Sequence, residues 1–361
     1  MVELGLSGAV DPYLTAQAFI VYKLTPEGES RFGLEEAFAT TQMLPFGLEE
    51  QGFQVEFGHF LTEYGRWNPT HPHAWDWQDQ PIVNSRLFGG DGARNPGFRI
   101  GWLTPLPWFS ELHFGAQNAR GETALSFLAS DEVFEGRPIG GRPFNDPGVH
   151  DLADLLYLVR WANGFDIGDE WSAQWGISGL FGPNATGNDG RSYIAGTDLV
   201  VKWLPLDSDR GWPRLVWESE FSHRWYEADG FVGCPEDVEV CSDPVLPGNT
   251  LRDWGLVTKL LWGFRRNWDV GIRYEFVSGS GNNVEFADDP VQAWVPVSRN
   301  TDPFRDDRHR VSPLLTFYPS EFSRIRFQYN YDRVKYLDDP NVHTGWLGVE
   351  FLFGAHAAHT Y

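Results

Sequence analysis

The sequence predicts an all-β fold, an antiparallel transmembrane β-barrel of about 15 to 16 strands. Three observations carry that prediction. The first is a period-two alternation that places charge on one face of a strand and aromatic rings on the other. In 323–336, Arg324, Arg326, Gln328, Asn330 and Asp332 oppose Ile325, Phe327, Tyr329 and Tyr331. The second is a rhythm of short and long links between such segments. The third is a composition with 17 Trp and 39 Gly but no apolar run long enough for a membrane helix, which leaves strands as the only means of crossing a bilayer.

In chain order, Val2–Ala9 reads as a first strand that enters the short link 10–14. Further short links, often with Pro or Gly, lie at 44–51, 104–108, 166–171, 265–268 and 318–322. Between them come long links at 66–97, 120–151, 229–250 and 278–308. Short turns at one barrel rim and long loops at the other explain this alternation, whereas a soluble sandwich does not. Leu199, Val201 and Trp203 oppose Asp198 and Lys202 in one strand. Trp254, Leu256, Leu260, Trp262 and Phe264 oppose Asp253, Gly255, Lys259 and Gly263 in another, and Val270, Ile272, Tyr274 and Phe276 oppose Gly271, Arg273 and Glu275 in a third. The last strand, 342–353, puts Leu347, Val349, Phe351 and Phe353 on one face and ends a little before a terminal aromatic.

By this rhythm the first and last strands run the same way, which implies an odd strand count where barrels of this kind close with an even one. Two expectations follow: an N-terminal strand is absent together with a signal peptide, or one strand is misread. The chain is otherwise read as one barrel domain over 1–361.

The balance of 28 basic and 50 acidic residues, a net charge of -22, argues against nucleic acid as a partner. Acidic residues crowd 131–135, 236–239, 288–289 and 338–339, as solvated loops or as an acidic vestibule. The only cysteines, Cys234 and Cys241, suit a disulfide within one loop in an oxidising compartment, with metal ligation or free thiols as alternatives.

The candidate constriction loop, 66–97, is too aromatic for a solvated excursion. Trp67, Trp75, Trp77, Leu87 and Phe88 need an apolar place, and folding into the lumen supplies one. If a first strand is absent, this is the third extracellular loop. Arg66, Asp76, Asp79, Arg86, Asp91 and Arg94 then form a mixed-charge constriction, or serve as pins that hold the loop to the wall. His71 and His73, with Asp76 close in sequence, fit either structural hydrogen bonding or a transition metal. The same two readings apply to His356 and His359. Arg273, Arg310, Arg324 and Arg326 form a basic track on one lumen wall. Glu35, Glu56, Glu111, Asp198, Glu218, Glu220, Asp253, Glu275 and Glu350 also point inward and offset it.

The runs Val2-Glu-Leu-Gly-Leu-Ser-Gly-Ala-Val-Asp-Pro-Tyr, Thr70-His-Pro-His-Ala, Phe88-Gly-Gly-Asp-Gly, Trp102-Leu-Thr-Pro-Leu-Pro-Trp and Gly345-Trp-Leu-Gly-Val-Glu-Phe-Leu-Phe-Gly-Ala-His resemble an uncharacterised porin-like outer-membrane family. That family is similar to the phosphate-selective porins, and some members are labelled zinc-regulated TonB-dependent receptors. The resemblance spans nearly the whole chain and implies an additional first strand. It also implies a channel for small polar or charged solutes in the outer membrane of a Gram-negative-type bacterium, with lipid and lipopolysaccharide around it. Trimers are common in the resembling porins, and a monomer is equally allowed. A TonB-dependent barrel of about twenty-two strands with a plug needs more chain than this. Two other classes stay open: a metal-uptake receptor, and a soluble or surface glycan-binding protein or glycosidase that uses the many Trp and carboxylates. No hydrolase elbow, zincin or nucleotide-binding pattern is present, so no enzyme and no cofactor is expected.

Overall fold

The computed structural model describes residues 1–24, 28–233, 245–287, 294–297 and 301–354. Among the described residues, fifteen strands pair in strict chain order in one antiparallel sheet. They are β1 Val2–Ala9, β2 Leu14–Leu24, β3 Ser30–Thr41, β4 Phe53–Leu61, β5 Arg94–Leu103, β6 Phe109–Asn118, β7 Leu155–Ile167 and β8 Trp171–Pro183. The series continues with β9 Arg191–Trp203, β10 Arg214–Ala228, β11 Asn249–Arg265, β12 Trp268–Ser280, β13 Arg308–Ser320, β14 Ser323–Val334 and β15 Asn341–Phe351. Two short hairpins sit in the links that follow β10 and β12.

The alternation in sequence becomes an inverted burial pattern. In β14, Arg326, Gln328, Asn330 and Asp332 are buried while Phe327 is 53% exposed and Tyr329 43%. In β11, Asp253 and Lys259 are buried while Leu260, Trp262 and Phe264 face outward. Water on the outer face would make this arrangement costly, and lipid makes it favourable. Register carries the compensation inside: Glu218 stands opposite Lys259, Arg224 opposite Asp253, and Arg310 between Glu275 and Asp332. Neighbouring strands thus neutralise each other, as cross-strand pairing requires.

The sheet is rolled. Its two ends meet the same stretch of chain, because His73 lies 3.1 Å from Glu3 on β1 while Arg324 on β14 donates to the His73 carbonyl. β1 and β15 run in the same direction, and among the described residues no ladder joins them. The link rhythm holds with three exceptions, 25–29, 184–190 and 335–340, which are short yet lie at the long-link end.

The lumen is filled from the long-link end by two segments. The first, 62–93, carries a short helix α1 (Ile82–Phe88); it starts earlier than the sequence suggests, and Arg94 already belongs to β5. The second, 119–154, carries α2 (Asp131–Gly136) and reads in the sequence only as a long link. Tyr64, Trp67, Val83, Leu87 and Phe88 of the first pack with Ala124, Phe127 and Leu128 of the second against Leu158, Ile194, Val257 and Val277 of the wall. Inward-facing glycines make the seats. A side chain at Gly255 would strike Val83, one at Gly271 would meet Trp77 at 2.9 Å, and those at Gly196 and Gly348 would meet Tyr64 and Gln78. Such close approach is what glycine inside a strand permits.

Candidate pore constriction

Segment 62–93 crosses the lumen and is tied to strands around the wall. Its start is fixed by β8 and β10: Gly65 N–H donates to Ser178 Oγ at 3.1 Å, Tyr64 Oη to Ser222 Oγ at 3.0 Å, and the Arg66 and Trp67 N–H groups to Glu220 at 2.6 and 3.1 Å. Its middle is fixed by β11 to β14. Lys259 pairs with Asp76 at 2.9 Å, Trp77 Nε1 donates to the Ser312 carbonyl at 2.9 Å, and Gln78 N–H donates to Gln328 at 2.7 Å.

Asp79 is the most heavily bound point. Its carboxylate takes Arg273 at 2.6 Å, Arg310 at 2.7 Å, Gln328 at 2.5 Å and Asn330 at 2.9 Å. The basic track therefore closes on the segment. Arg273 and Arg310 meet at Asp79, and Arg324 and Arg326 meet at Glu350, at 2.8 and 3.0 Å. Arg326 also donates to the carbonyls of Trp75 and Asp76.

The six charged residues of the candidate loop do not form one ring. Asp76 and Asp79 lie against β11 to β14, and Arg86 is buried on α1, donating to the Arg305 and Asp306 carbonyls. Asp91 makes an exposed pair with Lys23 at 2.8 Å, and Arg94 pairs with Glu35 at 3.2 Å. Arg66 is held through its backbone, with a partly exposed side chain. The carboxylates that receive the segment's N–H groups, Glu220 and Glu275, were legible only as inward acids, because nothing local in sequence marks a residue as the acceptor for a segment about 150 to 190 positions away.

His71 and His73 do not share a site with Asp76. They flank Pro72 in a short 3-10 turn, with rings stacked at 5.4 Å, and face Glu3, Glu35 and Glu36. His71 Nε2 lies 2.7 Å from Glu36. Cys234, Cys241, His356 and His359 lie outside the described residues.

Burial favours the neutral forms of the pinning groups, but their partners outweigh it. Burial raises the Asp79 carboxyl, yet Arg273 and Arg310 hold it below its usual 3.8; Lys259 does the same for Asp76. Burial lowers His71, yet the Glu35 and Glu36 carboxylates beside its ring push it up to about 10 from 6.5. Depressed acids stabilise docking above 3.8 and lose that contribution as pH falls through their folded values. The raised histidine contributes fully below 6.5 and loses it as pH rises through about 10. Amide hydrogen exchange across 62–93, corrected for intrinsic rates, is expected to show most protection between pH 3.8 and 6.5. Protection that is flat across pH would refute the pinning role.

No family model matches the chain. An uncharacterised protein of Aquifex aeolicus (strain VF5) is 31% identical over 374 residues, spanning 99% of this chain and 69% of that protein. Among solved structures, the outer membrane channel DcaP of Acinetobacter baumannii superposes with a TM-score of 0.53 at 11% identity, covering 96% of this chain and 83% of that one. A loop-deletion mutant of OmpT, an outer membrane protein of Vibrio cholerae, gives 0.50 at 9% identity over 97% and 89% of the two chains. OprB of Pseudomonas putida gives 0.50 at 11% identity over 94% and 82%. These likenesses establish the outer-membrane β-barrel fold. Through a match that spans nearly all of this chain and about two thirds of the Aquifex aeolicus protein, the chain belongs to that protein's family, which is porin-like in fold.

Proposed function

We propose that the protein is a narrow porin-like channel of the outer membrane of a Gram-negative-type bacterium, passing small polar or charged solutes. One observation carries the reading: a charge-lined interior is enclosed by an outward band of aromatic residues and crossed by a pinned segment. A barrel of this kind admits solutes only beside that segment, so its borders set size and charge preference. We assign Arg66, Asp76, Asp79, Asp91 and Arg94 to those borders, and the buried Arg86 to holding α1 in place. The four wall arginines are each matched by carboxylates, and the chain as a whole carries -22, so cations are the favoured ions. A glycan-binding protein or glycosidase with its rings gathered around a sugar groove fits less well, since Trp262, Phe264 and Phe327 point away from the polar interior.

Single-channel recording in planar bilayers tests the proposal. Small ohmic conductance with a cation-selective reversal potential in a salt gradient is expected. Absence of conductance, in the full chain and after removal of 66–93, would overturn the channel reading; an anion-selective potential would overturn only the assignment of charge preference.

A further inference from the structure

Glu3, His71 and His73 each bring one ligand atom within 4.8 Å of the others. Around them, the structure leaves polar atoms without the hydrogen bonds that burial demands. Glu35 is only 6% exposed, and its Oε2 has no hydrogen-bond partner; His71 Nδ1, 3.5 Å away, has none either. An imidazole nitrogen and a carboxylate oxygen on one tetrahedral zinc ion stand about 3.4 Å apart, given metal–ligand bonds of about 2.0–2.2 Å. The observed gap is that size.

The surroundings complete the pattern. Glu36 Oε2 lies 2.7 Å from His71 Nε2, and the other Glu36 oxygen accepts the Leu61 N–H at 2.5 Å. A carboxylate on the far nitrogen of a ligating histidine fixes the ring and directs Nδ1 toward the ion. His71 Nδ1 is 3.9 Å and His73 Nδ1 3.1 Å from Glu3, so both rings face that carboxylate. Pro72, at the start of the 3-10 turn, holds the two rings in their stacked relation.

We propose that Glu3, His71 and His73 bind one divalent transition-metal ion of the zinc class, with Glu35, 3.5 Å from His71 Nδ1, as the further donor that completes the set, and that this ion locks the inserted segment to β1 and β3. Two imidazoles among the donors select zinc, cobalt or nickel over magnesium and calcium, which prefer all-oxygen sites. On binding, the ion takes the place of the proton on His71 Nδ1, which leaves to solvent. The site stands apart from the channel reading: it anchors the segment whether or not solutes pass.

The test uses the purified full chain in detergent, titrated with zinc alone and, separately, with cobalt alone for its visible absorption. One zinc per chain is expected, unmoved by millimolar calcium or magnesium. His71→Ala and His73→Ala are each expected to weaken zinc binding at least tenfold, and Glu36→Gln about 10- to 100-fold as an outer partner. The pair His356→Ala and His359→Ala should leave it unchanged. Circular dichroism confirms that each variant is folded, and Glu36→Gln and His73→Asn keep the question decidable if an alanine variant is not. No zinc binding by the unaltered chain, affinity unchanged in folded His71 and His73 variants, or loss of binding with His356 and His359 would each overturn the site.

Discussion

Replacing Asp79 by alanine is expected to release the middle of the inserted segment and raise single-channel conductance several-fold, with longer open dwell times. The carboxylate binds two arginines and two amides from β12, β13 and β14, so its removal strips four partners at once. Breaking a buried charge pair costs about 3–5 kcal/mol because the remaining charge stays buried. Here the lower end applies, since Arg273 keeps Glu275 at 2.8 Å and Arg310 keeps Asp332 at 2.9 Å. Asp79→Asn retains one acceptor oxygen and is expected to fall between the two. Equal conductance in all three proteins would mean that the apolar contacts and the other pins hold the segment without Asp79.

Those apolar contacts are the object of the second large effect. Trp77 is fully buried against Leu261 and Leu314, donates its indole N–H to the Ser312 carbonyl, and lies over Gly271 with Arg273 above its ring. Trp77→Ala is expected to destabilise docking by about 3–5 kcal/mol, the range for deleting a large buried ring. Gly271→Leu should act from the opposite side by filling the seat, costing about 1–3 kcal/mol or more through overpacking. Because both changes act on one contact, the double variant should be less impaired than the sum of the singles. Hydrogen exchange of the 62–93 amides measures this directly, and strict additivity would show that Trp77 and Gly271 are not energetically coupled.

Much of the wall was legible because a strand's two faces are written in consecutive letters. Arg326 against Phe327 and Lys259 against Leu260 each announce inside and outside within two residues. The inserted loop was legible from its misplaced rings, Trp67, Trp77 and Phe88, which no solvated link can accommodate. Segment 119–154 escaped notice because its buried Phe127, Phe134 and Ile139 are diluted among Gly, Pro and charged residues. The division of labour among charges was not legible at all. Whether Arg273 faces a solute or Asp79 depends on a contact 194 positions distant, and alternation fixes only the face it occupies. The strand glycines were read as part of a polar face, whereas Gly255 and Gly271 are cavities shaped for Val83 and Trp77.

The seats for this segment are distributed from the first strands to the fourteenth, and that spacing bears on how the molecule assembles. Gln78 and Asp79 meet Gln328 and Asn330 across separations of about 250 positions, and Arg324 reaches the carbonyl of His73 across 251. Contacts so distant along the chain pay their loop-closure entropy late and slow folding. The segment therefore gains its last partners, and Trp77 its cover, only once β12 to β14 have joined the sheet. Its docking is the final commitment of folding: a rolled sheet becomes a filled one in a step that joins the beginning of the chain to its end.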